Sequence, residues 1–221
     1  LPARFVSLLL GLFLVDVISI DMIKELFPTK VAIVKPKIDL FRLQDVVEEI
    51  CETYENDLSK NPYGVLRGNS RMYSSEKYDF LNHYSMIQEF NRAIKIEVDS
   101  FWKELKYVGV PSQVFTVIVK YKQNSYIDVH SHAPAALVAT FYLKKPKDSS
   151  NIIVVDPNAD VLHYQPYALD TANYSDWFHE ELQVEEGDLV LFAGYVKHLI
   201  KPTMTQEDRI VITTNFNVSK N

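Results

Sequence analysis

From Gln113 to the C-terminus the chain is written in short, β-branched and aromatic runs: VFTVIVKY, ALVATFYL, NIIVVDP, LVLFAGY and RIVITTNFNV, separated by turn residues. Runs of this length and composition read as strands, and five or more in succession indicate an antiparallel sandwich or small barrel. Everything else about the molecule has to be reconciled with that β-rich half.

The residues before it have a different rhythm. LFPTKVAIVK alternates after a proline and reads as an opening strand. From Asp39 to about Leu58 the apolar residues Leu40, Leu43, Val46, Val47, Ile50 and Tyr54 fall at helical spacing. KNPYGVLRGNSRMYSS is rich in turn formers and is expected to be a loop. A second helix is expected over roughly Tyr84 to Lys106, with Ile87, Phe90, Ile94, Val98, Phe101 and Leu105 in one core-facing stripe. Within the β-rich half, the long connection from Asn158 to Gln183 carries a possible short helix at SDWFHEEL, and a connection of that length is often a lid or binding loop.

At 221 residues the chain suits one domain with a sizeable core. Six glycines and 47% hydrophobic residues place it among globular chains. A net charge of -6 argues against a nucleic-acid footprint, which needs a basic face. The lysines of LKKPKD (Lys144, Lys145, Lys147) are expected at a solvated hairpin tip. The single cysteine, Cys51, excludes an intramolecular disulfide framework and suits a reducing, cytoplasmic setting. It falls within a helical pattern and reads as a buried structural thiol. The apolar run in RFVSLLLGLFLV is broken by Asp16 and is too short for a membrane span, which needs roughly 20 apolar residues. Residues 1–21 are expected to be an upstream extension or signal-like segment, with 22–221 forming a single domain.

Four residues in the β-rich half carry chemistry. His130 and His132 flank Ser131 in YIDVHSHAPAALVATFYL, His198 follows a glycine-acidic turn and a strand, and Arg209 opens the last strand. A non-haem iron site needs a few ligands on a rigid sheet with positions left open, and a dicarboxylate co-substrate then needs a cation to grip its far end. Alternating residues on a strand point the same way, so His130 and His132 face one centre together if the strand runs through both. His163 and His179, in the long connection, lack such a framework and read as surface or substrate-contacting residues, and His83, near the second helix, carries no signal.

These segments resemble the 2-oxoglutarate and Fe(II)-dependent oxygenases, and within them a family common in phages and aquatic bacteria and related to the prolyl hydroxylases. HSHAPAALVATFYLKKP is similar to the family's H-x-H segment and following strand. VVDP is similar to its next strand, EEGDLVLFAGYVKHLIKP to its Gly-Asp turn, strand and distal histidine, and RIVITTNFN to its closing arginine strand. The likeness covers most of residues 22–218, with the discriminating motifs in 121–217.

The resemblance implies an α+β fold: N-terminal helices packed on a distorted double-stranded β-helix, a jelly-roll or cupin-like barrel with iron at one mouth. It implies Fe(II) and 2-oxoglutarate as cofactors, O2 as co-reactant, and hydroxylation of a small-molecule or protein side-chain substrate with release of succinate and CO2. His130, His132 and His198 become the metal ligands and Arg209 the partner of the far carboxylate of 2-oxoglutarate. Tyr142 matches a position whose hydroxyl helps hold that carboxylate, and Thr213, on the same face as Arg209, assists. Two departures stand out. Prolyl hydroxylases carry His-x-Asp where this chain has His132, so His132 is either a third ligand or a neighbour of a metal-bound water. The strand before the distal histidine ends Phe-Ala-Gly-Tyr where the family commonly has Phe-Pro-Ser. The competing readings are a three-histidine cupin-like dioxygenase without 2-oxoglutarate, which has no need of Arg209, and a non-catalytic β-barrel.

Overall fold

A computed structural model describes residues 29–55, 66–68, 70–156 and 179–219. The readings made for residues 1–21, His163 and the greater part of the 158–183 connection lie outside those residues.

The chain opens with β1 (Val31–Val34) and α1 (Leu40–Thr53), then β2 (Leu66–Arg67), β3 (Arg71–Ser74) and the short α2 (Phe80–His83). The long helix α3 (Ser85–Glu104) leads into β4 (Pro111–Tyr121), β5 (Tyr126–His130), β6 (Leu137–Lys144) and β7 (Ile152–Val155). The chain closes with β8 (His179–Leu182), β9 (Leu189–Ala193), β10 (His198–Ile200) and β11 (Arg209–Val218). The strands form two antiparallel sheets, a larger one ordered β1-β9-β6-β11-β4-β3 and a smaller one ordered β2-β5-β10-β7-β8. This is the helix-backed α+β double-stranded β-helix expected from the resemblance.

Both helices form where the apolar spacing put them. Asp39 caps α1 by accepting a hydrogen bond from the Arg42 amide at 3.1 Å. The buried residues Leu43, Val47, Ile50 and Cys51 lie on one face of α1. In α3, Met86, Ile87, Phe90, Ile94, Val98, Phe101 and Trp102 are buried. These faces pack on the outside of the larger sheet against Leu137, Phe141, Leu143, Leu189, Leu191 and Ile212. Cys51 lies in this core, and burial pushes its thiol up to about 12, so it is a packing residue and not a nucleophile.

The central strands of the larger sheet, β6, β9 and most of β11, are buried on both faces, so successive residues go to different cores. Phe141 and Leu143 join the helices, while Val138 and Tyr142 face the smaller sheet. Double burial explains why the strands read as near-continuous apolar runs.

Three expectations about local structure are corrected. KNPYGVLRGNSRMYSS contains, in its described part, β2 and β3, which join different sheets by pairing with β5 and β4. Strands this short carry too little periodicity to be read, and their edge partners decide them. The end of SDWFHEEL is a strand and not a helix, because His179–Leu182 pairs antiparallel with β7. His179 is therefore a strand residue, exposed at the sheet edge. Finally, LKKPKD is not a hairpin tip. It carries the chain from β6 in the larger sheet to β7 in the smaller one, with Lys144 3.7 Å from Glu48 and Lys145 donating to the Ser149 carbonyl at 2.8 Å.

Candidate metal centre and active site

The two sheets enclose a cavity of about 500 Å³, within the range of small-molecule sites. Its wall is built by alternation along β11: Arg209, Val211, Thr213, Asn215 and Asn217 all face it. His130, His132 and His198 line the smaller sheet's side, joined by Tyr121, Thr140 and Tyr142 from β4 and β6.

His130 ends β5, His198 begins β10, and the register pairs them directly across the ladder. Their rings lie 4.3 Å apart between centroids. His132 stands past the end of β5, so the strand does not run through both members of the pair. A turn brings it back instead, with its ring centroid 5.2 Å from each of the other two. The three histidines offer ligand nitrogens that all lie within 4.8 Å of one another, and among the described residues they are the one such group of three.

The hydrogen bonds decide which nitrogens are free. The Nδ1–H of His130 donates to the Asp128 carbonyl at 2.8 Å, and that of His198 to the Val196 carbonyl at 3.0 Å. His132 Nδ1–H donates to Asn215 Oδ1 at 2.8 Å. Every acceptor is an oxygen without a proton to give, so each ring carries its proton on Nδ1 and keeps a lone pair on Nε2. Burial keeps these rings neutral, and repulsion from neighbouring rings adds to it at His132 and His198. His198 is held well below the ordinary histidine value by burial and by His130 and His132. His132 is pushed down to about 4 by burial and His130, against the opposing bond to Asn215, and burial lowers His130 too. Three neutral imidazoles with free, converging lone pairs are a donor set that fits a divalent transition metal. Asp128, the nearest carboxylate in sequence, is turned away to an ion pair with Arg67 at 2.7 Å.

At the other end, Arg209 is 1% exposed. The surface pairing that could have occupied it does not form, because Asp208 takes Lys120 at 3.2 Å and Lys122 at 3.1 Å. The guanidinium instead lies over the rings of Tyr121, at 4.4 Å, and Tyr142, at 5.2 Å. Among the described residues its Nε and Nη1 are buried without hydrogen-bond partners, and so is the Tyr142 hydroxyl, which burial pushes up to about 12. A buried cation with idle donors is unfavourable unless an anion completes it, and a carboxylate matches the guanidinium fork. Thr213 reaches the Thr140 hydroxyl at 3.3 Å on the same wall.

Residues 116–216 match the family model described as "Putative 2OG-Fe(II) oxygenase". The matched β domain is similar to the 2OG-Fe(II) oxygenases. The match contains all three histidines and Arg209, and the chemistry of the donor set fits the family's two cofactors, Fe(II) and 2-oxoglutarate. Solved structures share the fold across most of both chains. A prolyl-4-hydroxylase of Pseudomonas putida superposes with a TM-score of 0.57 at 10% identity, covering 87% of this chain and 94% of its own. HygX of Streptomyces hygroscopicus, solved with nickel and 2-oxoglutarate bound, gives 0.56 at 12% identity, covering 86% and 84%. The viral collagen prolyl hydroxylase vCPH of Paramecium Bursaria Chlorella virus-1, a 2OG complex, gives 0.55 at 11% identity, covering 86% and 96%. No curated protein matches the chain in sequence.

Three features of this site are not legible in the sequence motifs. Tyr121 lies opposite Arg209 in the β4–β11 register, which no linear pattern shows. Asn215 holds His132, and its signal was present: it continues the alternation from Arg209 through Thr213. Gly194, in the Phe-Ala-Gly-Tyr departure, is required by space, since a Cβ there would lie 1.9 Å from the Ala135 carbonyl oxygen.

Proposed function

We propose that His130, His132 and His198 hold Fe(II), and that Arg209 binds the far carboxylate of 2-oxoglutarate with help from Tyr142 and Thr213. The chain then hydroxylates a small-molecule or protein side-chain substrate. Iron and 2-oxoglutarate together supply the oxidation, in which R–H, 2-oxoglutarate and O2 become R–OH, succinate and CO2.

The protein's own contributions follow from its groups. The three Nδ1–H bonds orient the imidazoles before any metal arrives, so little ordering remains at binding. The sheets exclude water from the Arg209 end, where a charge-assisted bond is stronger than in solvent. The observation that carries the reading is the paired arrangement at opposite ends of one cavity: a neutral triad of nitrogen donors and a buried guanidinium with idle donors. Arg209 also favours this reading over a cupin-like dioxygenase that uses no 2-oxoglutarate. We propose further that residues 22–221 work as one domain and that the protein acts in the cytoplasm. In support, Cys51 is a buried free thiol, and no described helix is long and apolar enough to cross a membrane.

The test is anaerobic titration of 2-oxoglutarate into protein loaded with Fe(II), followed by visible absorption. A weak charge-transfer band that grows with 2-oxoglutarate and is missing in His130→Ala is the expected result. Iron binding with no such band would overturn the 2-oxoglutarate assignment.

A further inference from the structure

We propose that Asn215 is a positioning residue that decides which nitrogen of His132 carries the proton, and that with Asn217 and Gly194 it clamps this off-strand histidine as a metal ligand. The inference rests on the metal reading above. It concerns the position where this chain has an imidazole in place of the carboxylate of the prolyl hydroxylases.

His130 and His198 are oriented alike, each donating to the carbonyl two residues earlier in its own segment. A carbonyl can only accept, so these two tautomers are set by the local backbone. His132 has no such bond. Its Nδ1 meets a side-chain amide from a different strand, 83 residues later. An amide can present either end. With Oδ1 toward the ring, the proton sits on Nδ1 and the Nε2 lone pair is free. With the NH2 toward the ring, the proton moves to Nε2 and removes the third donor. The structure has Oδ1 toward His132, while Nδ2 is buried without a partner among the described residues. Asn215 is 1% exposed, so its amide is held inside the protein at this position. The β4–β11 register shifts between Asn215 and Phe216, and such irregularities re-aim side chains.

The backbone around His132 is fixed by β11 and by Gly194, the residue that follows β9. The His132 amide donates to the Gly194 carbonyl at 2.9 Å, and the Gly194 amide donates to the Ala136 carbonyl at 3.1 Å. The Ala136 amide donates to Asn217 Oδ1 at 2.9 Å, and the Ala135 amide to the His132 carbonyl at 2.8 Å. Gly194 permits this approach, because any side chain would strike the Ala135 carbonyl. A turn residue thereby acquires the fixity that β5 and β10 give the other two ligands.

The experiment is long-range ¹H–¹⁵N correlation NMR on the full, metal-free chain, with the His132 signals assigned from His132→Ala, followed by Co(II) titration. Wild-type His132 is expected as the Nδ1–H tautomer. Asn215→Leu should give mixed tautomers at His132 and lower Co(II) affinity by about 10- to 100-fold. Asn215→Asp keeps the acceptor and should keep both the tautomer and Co(II) affinity to within about threefold, an expectation from the same outer-shell logic. Gly194→Ala should weaken Co(II) binding while leaving the tautomer of His130 unchanged. An Nε2–H tautomer at His132 in the wild type overturns the proposal and requires no variant to fold. Unchanged tautomer and Co(II) affinity in Asn215→Leu overturn it as well. The tautomer is read without metal or 2-oxoglutarate, so its failure is distinct from failure of the charge-transfer test.

Discussion

The two faces of β11 are made of the same backbone and do opposite things. Ile210, Ile212 and Phe216 face the helices and join an apolar core, and the buried Thr214 hydroxyl is matched with that of Thr116 at 2.9 Å. Arg209, Thr213, Asn215 and Asn217 face the cavity. There a guanidinium and an amide keep buried donors without partners among the described residues. The helix-facing side stabilises the fold by removing apolar surface from water. The cavity-facing side is destabilising as it stands, since unmatched buried polar groups carry their full desolvation cost. A period of two lets one strand serve both ends, and the stable face holds the costly one in place.

Substitutions on the two faces should separate cleanly. The largest effect on function is expected from His198→Ala, which should abolish both iron retention and turnover, as metal analysis of the purified protein would show, while leaving the folded core in place. Phe141→Ala, on the helix-facing side of β6, should cost about 3–5 kcal/mol in denaturant unfolding through loss of burial and a residual cavity. Arg209→Ala should raise the 2-oxoglutarate requirement by about tenfold or more while sparing iron, since hydrogen bonds to charged groups contribute roughly 1.5–3 kcal/mol. The isosterically closer Arg209→Met sharpens the contrast. It should lose co-substrate binding yet leave the unliganded protein as stable as wild type or more so, by up to about 4 kcal/mol, because it removes a buried unpaired charge. A substantial destabilisation by Arg209→Met would mean that the arginine is a structural element of the core.

A further contrast is a pH dependence confined to the cavity face. The folded protein holds His132 down to about 4 from an ordinary 6.5. Between those values the unfolded chain binds the extra proton and the folded one does not, so stability rises with pH across the window. The contribution is complete above about 6.5 and is lost as pH falls toward 4, with His130 and His198 adding in the same direction. Urea unfolding of metal-free protein at stepped pH should show this loss, and Asn215→Leu, which removes the bond that opposes the shift, should deepen it.

The legible parts of the molecule were those whose signal is local. The stripes of α1 and α3 are periodic within one segment. His130, His198 and Arg209 stand beside strands whose composition marks them. The illegible parts depend on what lies across space. β2 and β3 are defined by partners in two different sheets, and β8 was read as a helix because an edge strand of charged residues has no apolar alternation to betray it. Gly194 looked like an unexplained change of turn, and only the Ala135 carbonyl at 1.9 Å from its absent Cβ explains it.

By itself the sequence determined the strand-rich half, the two helices that back it, and the residue types of a metal and carboxylate site. Those follow from side-chain volume, branching and periodicity, which each segment carries within itself. The tertiary structure alone decided that Arg209 is buried without a counter-charge among the described residues, that it stacks on Tyr121 and Tyr142, and that His132 is oriented by Asn215. Each of these is a contact between residues far apart in the chain, set by strand register, and register is fixed only when the sheets close around the cavity.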